Sequence, residues 1–168
     1  TSSTAMISAD VDIEAGTLKG DVDWNNAQWP PSGPDPRVAS RRGKLAVSGS
    51  LNDWRVDGTV QLSVPDLPAG QFTVSGGGDL DGADVQILEG NVLGGSLAGR
   101  VAYRWRKPQT WSANLDLQNI ETDALTPDWP ATLSGHLDVS GQPQPFVLTA
   151  GLRDVRGKFR EKPLRANG

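Results

Sequence analysis

Along most of the chain, apolar and polar residues alternate one by one. Leu97, Val101, Tyr103 and Trp105 fall on one parity, and Ala98, Arg100, Ala102 and Arg104 on the other. Side chains of a strand point to opposite faces with a period of two, so this pattern predicts a strand with one buried face. Gly99 interrupts the apolar parity. The interruption recurs in Leu18, Gly20, Val22 and Trp24, in Leu45, Val47, Gly49 and Leu51, in Phe72, Val74 and Gly76, and in Leu133, Gly135, Leu137 and Val139. The opposite parity is polar, with Lys19, Asp21 and Asp23 in the first run and Ser134, His136 and Asp138 in the last.

Two further runs alternate in the same way. One carries Trp54, Val56, Gly58, Val60, Leu62 and Val64, the other Trp111, Ala113, Leu115 and Leu117. Turn-forming segments separate the runs: NDW, DLPAG, DLDG, RKPQT, LTPDWP and SGQPQP. No helical stripe stands out, apart from a short turn near Thr122 to Leu125. The expected class is all-β, about ten short strands joined mostly by hairpins. Residues 29–43, WPPSGPDPRVASRRG, form the one long break, and their prolines and glycines predict a loop. The same strand pattern continues on both sides, so the chain reads as a single unit over 1–168.

A glycine on the apolar face adds no packing and weakens a strand. Glycine is, however, a device for bending a sheet, because a side chain at the crease would clash. The pattern therefore suggests a strongly curved antiparallel sheet with Gly20, Gly49, Gly99 and Gly135 at creases of a concave apolar face. Two ordinary sheets packed closely around small residues would give the same pattern.

Composition narrows the function classes. The formal net charge is -4 and the pI about 4.9, which disfavours nucleic acid as a partner. The absence of cysteine excludes disulfides, thiolate metal sites and cysteine nucleophiles. No segment approaches the roughly 18 apolar residues of a spanning helix.

Candidate chemistry is sparse. His136 is the only histidine and lies on a polar parity, where an exposed surface residue is expected rather than a triad member. Asp79, Asp81 and Asp84 resemble part of a calcium loop, but Ala83 and Gly90 stand where further ligands are due. Asp81-Gly82 reads better as a hairpin turn, and no metal or cofactor is expected. The other carboxylates alternate with apolar residues, as on a solvated strand face, and do not support a glycosidase pair. The six tryptophans suit either an acyl or sugar platform or ordinary packing at strand ends. Val155, Gly157 and Phe159 point inward in the last strand. Arg156, Lys158 and Arg160 point outward and protect an edge.

The stretch from Leu97 to Gly141 resembles the periplasmic repeats of the TamB family. A Leu-x-Gly-x-Val strand ends in Trp (Leu97 to Trp105), a Trp-initiated strand follows (Trp111 to Leu117), and a Leu-x-Pro-x-Trp-Pro turn (Leu125 to Pro130) leads to a Leu-x-Gly-x-Leu strand (Leu133 to Val139). The end, LRDVRGKFREKPLRANG, is similar to the family's closing hairpin. The resemblance implies a segment of a long repetitive β-taco, a U-shaped trough with an apolar interior. It implies a non-enzymatic periplasmic protein of a Gram-negative bacterium, anchored in the inner membrane and meeting an Omp85-type, TamA-like outer-membrane barrel through the full-length protein. Its cargo would be phospholipid or unfolded outer-membrane protein. Leu62, Val101, Tyr103, Leu115, Leu117, Leu137 and Val139 are the residues expected to line the groove. The competing readings are a carbohydrate-binding β-sandwich and a structural β-solenoid or adhesin segment.

Overall fold

The structure, a computed structural model, describes residues 4–12, 16–29, 38–50, 52–65, 68–125, 127–128, 130–159 and 162–166. Eleven strands follow one another: β1 (Thr4–Asp12), β2 (Thr17–Trp29), β3 (Val38–Ser50), β4 (Asp53–Ser63), β5 (Gly70–Gly78), β6 (Gly82–Val92), β7 (Gly95–Arg104), β8 (Thr110–Glu121), β9 (Ala131–Pro143), β10 (Phe146–Phe159) and β11 (Lys162–Ala166). They form one antiparallel meander in sequence order. β1 and β11 are not hydrogen-bonded to each other, so the sheet stays open, and a curved trough is consistent with it.

The sandwich reading is overturned, both as a glycan-binding module and as two close-packed sheets, because every described strand belongs to the same sheet. A solenoid of parallel rungs is overturned too, since all neighbours run antiparallel. The expected loop over 29–43 does not include its two ends. Trp29 ends β2 and residues 38–43 belong to β3, while 30–37 lie outside the described residues. Leu51, Thr126, Trp129 and Arg160 also lie outside them, as do the side chains of Leu18 and Trp29.

The strands are longer than alternation alone suggested, reaching 14 residues in β10. Bulges explain the extra length. The register shifts at Ser40–Arg41 in β3, Leu88–Glu89 in β6, Gln118–Asn119 in β8 and Asp154–Val155 in β10. Each inserts one residue against the facing strand, which reverses the parity that follows. The reversal returns the next apolar residues to the original face: Ile120 pairs with Leu133, and Gly157 with Leu133 from the other side. Asn119 and Asp154 sit at φ 52°, a left-handed conformation that Asn and Asp tolerate better than most residues. The end of β10 is not the edge that its charges suggest, because β11 pairs with Val155–Phe159.

Candidate functional site: one continuous apolar face

The register aligns the apolar parities of successive strands into transverse rows. One row runs Leu18, Gly49, Trp54, Gly78, Ala83, Tyr103, Trp111, Gly141 and Leu148. The next runs Gly20, Val47, Val56, Gly76, Val85, Val101, Ala113, Val139 and Ala150. A third carries Val22, Leu45, Gly58, Val74, Ile87, Gly99, Leu115, Leu137 and Leu152, and a fourth Trp24, Gly43, Val60, Phe72, Gly90, Leu97, Leu117 and Gly135. The four rows make a band roughly 20 Å wide along the strands, at about 3.4 Å per residue. Leu62 lies just beyond the fourth row, paired with Gly70. The register thus puts all seven expected lining residues on one face, and Gly20, Gly49, Gly99 and Gly135 with them.

Almost nothing on this face is fully covered. Ile120, 9% exposed, is the one buried large apolar side chain among the described residues. Val101, Leu115, Leu117, Leu137 and Val139 are half-buried, while Leu62 and Tyr103 count as exposed. A single sheet buries its apolar face only against another layer, and the described residues form no second layer.

The glycines serve two purposes. At Gly49 (φ 118°) and Gly99 (φ 150°) the backbone takes a conformation that only glycine adopts readily. A Cβ there would come within 2.9 Å of the Trp54 or Leu115 Cα on the next strand. The obstacle is the adjacent backbone, not an opposite wall of the trough. Other glycines make room for rings. The Trp24 indole covers Gly43 and donates its N–H to Ser40 Oγ at 2.8 Å. A Cβ on Gly78 would meet the Trp54 ring at 2.6 Å, and one on Gly141 the Trp111 ring at 2.9 Å. Three of the tryptophans therefore pack over neighbouring glycines, a partnership known to stabilise glycine in sheets. Trp105 remains exposed.

The polar face carries the charges. Asp84 pairs with Arg104 at 2.6 Å and Arg100 at 3.4 Å. His136 is half-buried rather than exposed: Nδ1 lies 2.8 Å from Asp116 Oδ1 and Nε2 3.4 Å from Asp138 Oδ1. Arg153 donates to Asp138 and holds its carboxyl below the usual aspartate range. These groups neutralise one another across β8, β9 and β10, and the imidazole has aspartates rather than a nucleophile at both nitrogens. Shallow depressions on this side are lined by Arg55, Ser75, Gly77, Asp84, Arg100 and Asn114, and by Ser112, Asp138, Ser140 and Thr149. A twisted sheet is saddle-shaped, so neither face has a monopoly on concavity.

The acidic turn is occupied by its own contacts. Asp79 Oδ1 accepts the N–H groups of Asp81 (2.7 Å) and Gly82 (3.0 Å), which hold its carboxyl below the usual range. Asp81 pairs with Arg106 and Asp84 with two arginines. Among the described residues no three histidine or carboxylate groups gather as a metal site. Millimolar calcium should leave the thermal midpoint of this chain unchanged; a rise of several degrees in a calorimetric scan would revive the calcium loop.

No solved structure matches the chain. A family model described as "TamB, N-terminal domain" matches residues 3–168, so the chain belongs to the TamB family and to the translocation and assembly module that the family serves.

Proposed function

We propose that the apolar face of this chain shields phospholipid acyl chains in transit between the inner and outer membranes, without catalysis. The observation that supports the reading is a continuous apolar band on an uncovered single sheet. Leaving an acyl chain in water costs about 0.8 kcal/mol per CH₂. A greasy band removes that cost along its length and needs no reactive group. Family membership implies a periplasmic, inner-membrane-anchored protein of a Gram-negative bacterium and a TamA-type outer-membrane partner. Among the described residues no helix is long and apolar enough to cross a membrane.

A photo-crosslinking residue at Val101 or Leu115 in the full-length protein should capture phospholipid in cells. The same probe at Arg100 or Asn114 should not, because one step along a strand reverses the face. Leu115→Arg should block transport more than it unfolds the chain, since an open face lets a long arginine reach water. Equal capture by inward and outward probes, or simple unfolding by Leu115→Arg, would overturn the reading.

One observation favours a second cargo, the strands of unfolded outer-membrane proteins. β11 covers only Val155–Phe159, so among the described residues the outer edge of β10 from Phe146 to Arg153 has no strand beside it. Phe146 and Leu148 on that edge are 76% and 54% exposed. An extended segment could add there by main-chain pairing. Capture of polypeptide rather than lipid by the probes at Val101 and Leu115 would favour this reading.

A further inference from the structure

The apolar band does not end in the same chemistry on both sides. At one margin, β7 and β8 meet in the hairpin Tyr103-Arg104-Trp105-Arg106-Lys107-Pro108-Gln109-Thr110-Trp111. Tyr103 pairs with Trp111 within the outermost apolar row. Trp105 lies beyond it, its ring tilted 39° to that of Tyr103 with centroids 6.3 Å apart. Both rings are 38% exposed.

Hydrogen bonds and an ion pair join the hairpin to the turn between β5 and β6. The Trp105 backbone N–H donates to Asp81 O at 3.1 Å, and its indole N–H to Leu80 O at 2.6 Å. Arg104 donates to Ala83 O at 3.1 Å. Arg106 pairs with Asp81 while remaining largely exposed. Lys107 is exposed and enters no ion pair among the described residues. Asp84 engages Arg100 and Arg104, and Asp81 engages Arg106, so Lys107 is the cation of this hairpin left without a carboxylate partner among the described residues. At the other end of the same strands the exposed charges include Glu89, Glu121, Asp123 and Asp128.

Fixed aromatic rings beside exposed cations, at the border of an apolar surface, suit the level where acyl chains give way to phosphate. The rings are amphipathic, and lysine and arginine stems lie along apolar surface while their charges reach outward. We propose that the β7–β8 hairpin is a headgroup site. Lys107, assisted by Arg106, pairs with the phosphodiester of a phospholipid whose acyl chains lie on the apolar face, and Tyr103 and Trp105 flank the junction. The site favours anionic over zwitterionic headgroups, because Lys107 has no counter-charge among the described residues. The inference rests on the lipid reading above and adds to it an orientation and a preference.

The test is titration calorimetry of the chain with dihexanoyl phosphatidylglycerol, dihexanoyl phosphatidylcholine and sn-glycerol 3-phosphate. Lys107→Glu is the variant, and Lys44→Glu, an equal charge change on β3, is the control. Circular dichroism checks that both variants fold. Phosphatidylglycerol should bind about fivefold more tightly than phosphatidylcholine, the effect of roughly one cation near a headgroup. Lys107→Glu should abolish that preference by weakening phosphatidylglycerol binding about fivefold more than phosphatidylcholine binding, while Lys44→Glu alters neither. Equal weakening by both variants would mean that only net charge matters, and would overturn the site. Glycerol phosphate binding as tightly as phosphatidylglycerol would overturn it in favour of a soluble anion. If both lipids bind equally and Lys107→Glu changes nothing, the headgroup site fails and the apolar groove survives. If neither lipid binds, the lipid reading falls with it.

Discussion

Gly99→Val should destabilise the chain by on the order of 2–4 kcal/mol, although valine is among the best strand formers. Two costs add. At φ 150° a β-branched residue is strained, and the new Cβ would press on the Asn114 carbonyl and come within 2.9 Å of the Leu115 Cα. The adjacent strand is backbone, which cannot step aside as the end of a side chain can. Gly151 is the internal control. It is exposed on β10, on the polar parity, and a Cβ there meets nothing within 4 Å. Gly151→Val should be neutral or slightly stabilising, within about 0.5 kcal/mol. Urea melts of the two variants decide the matter: equal midpoints would mean that Gly99 has no special place in the sheet.

Asn119→Val should be nearly as harmful, by about 2–3 kcal/mol. Gln118 and Asn119 together face Ser134, and this bulge brings Ile120 back to the apolar face. A β-branched residue is strained at φ 52° and favours flattening the bulge. With the bulge flattened, Ile120 turns to the polar side and loses its burial. The Glu121 N–H bond to Leu93 O and the Thr122 N–H bond to Ala131 O, both at the end of the same strand, lose their alignment as well. Asn119→Gly keeps the bulge and suits φ 52°, so it should change stability little. An Asn119→Val variant as stable as the parent in thermal melts would show that the bulge does not set the face.

Strand class and face assignment were legible because alternation is a local property. Leu115 and Asn114 differ by one position, and that alone separates apolar from polar. The bulges were half-visible. Each sits where alternation stumbles, at Ser40-Arg41, Leu88-Glu89, Gln118-Asn119 and Asp154-Val155, and the clean run that ends at Leu117 does not disclose its continuation to Ile120. β6 and the first half of β10 are obscured in the same way, because Leu88 and Asp154 break the phase. The Trp24–Gly43 and Trp111–Gly141 partnerships were not legible at all, since they depend on register between separate strands. His136 looked exposed for the same reason: Asp116 pairs with it only across β8 and β9.

Because each strand packs substantially only on the strands before and after it in sequence, the sheet behaves as a chain of near-identical links. At about 4.8 Å between neighbours, eleven strands extend roughly 48 Å. Every hairpin gained or lost changes that reach by roughly 9.6 Å and leaves the remaining rows in place. Reach is therefore counted in hairpins, and insertion or deletion of whole hairpins would fit the molecule to a wider or narrower gap without redesigning a core.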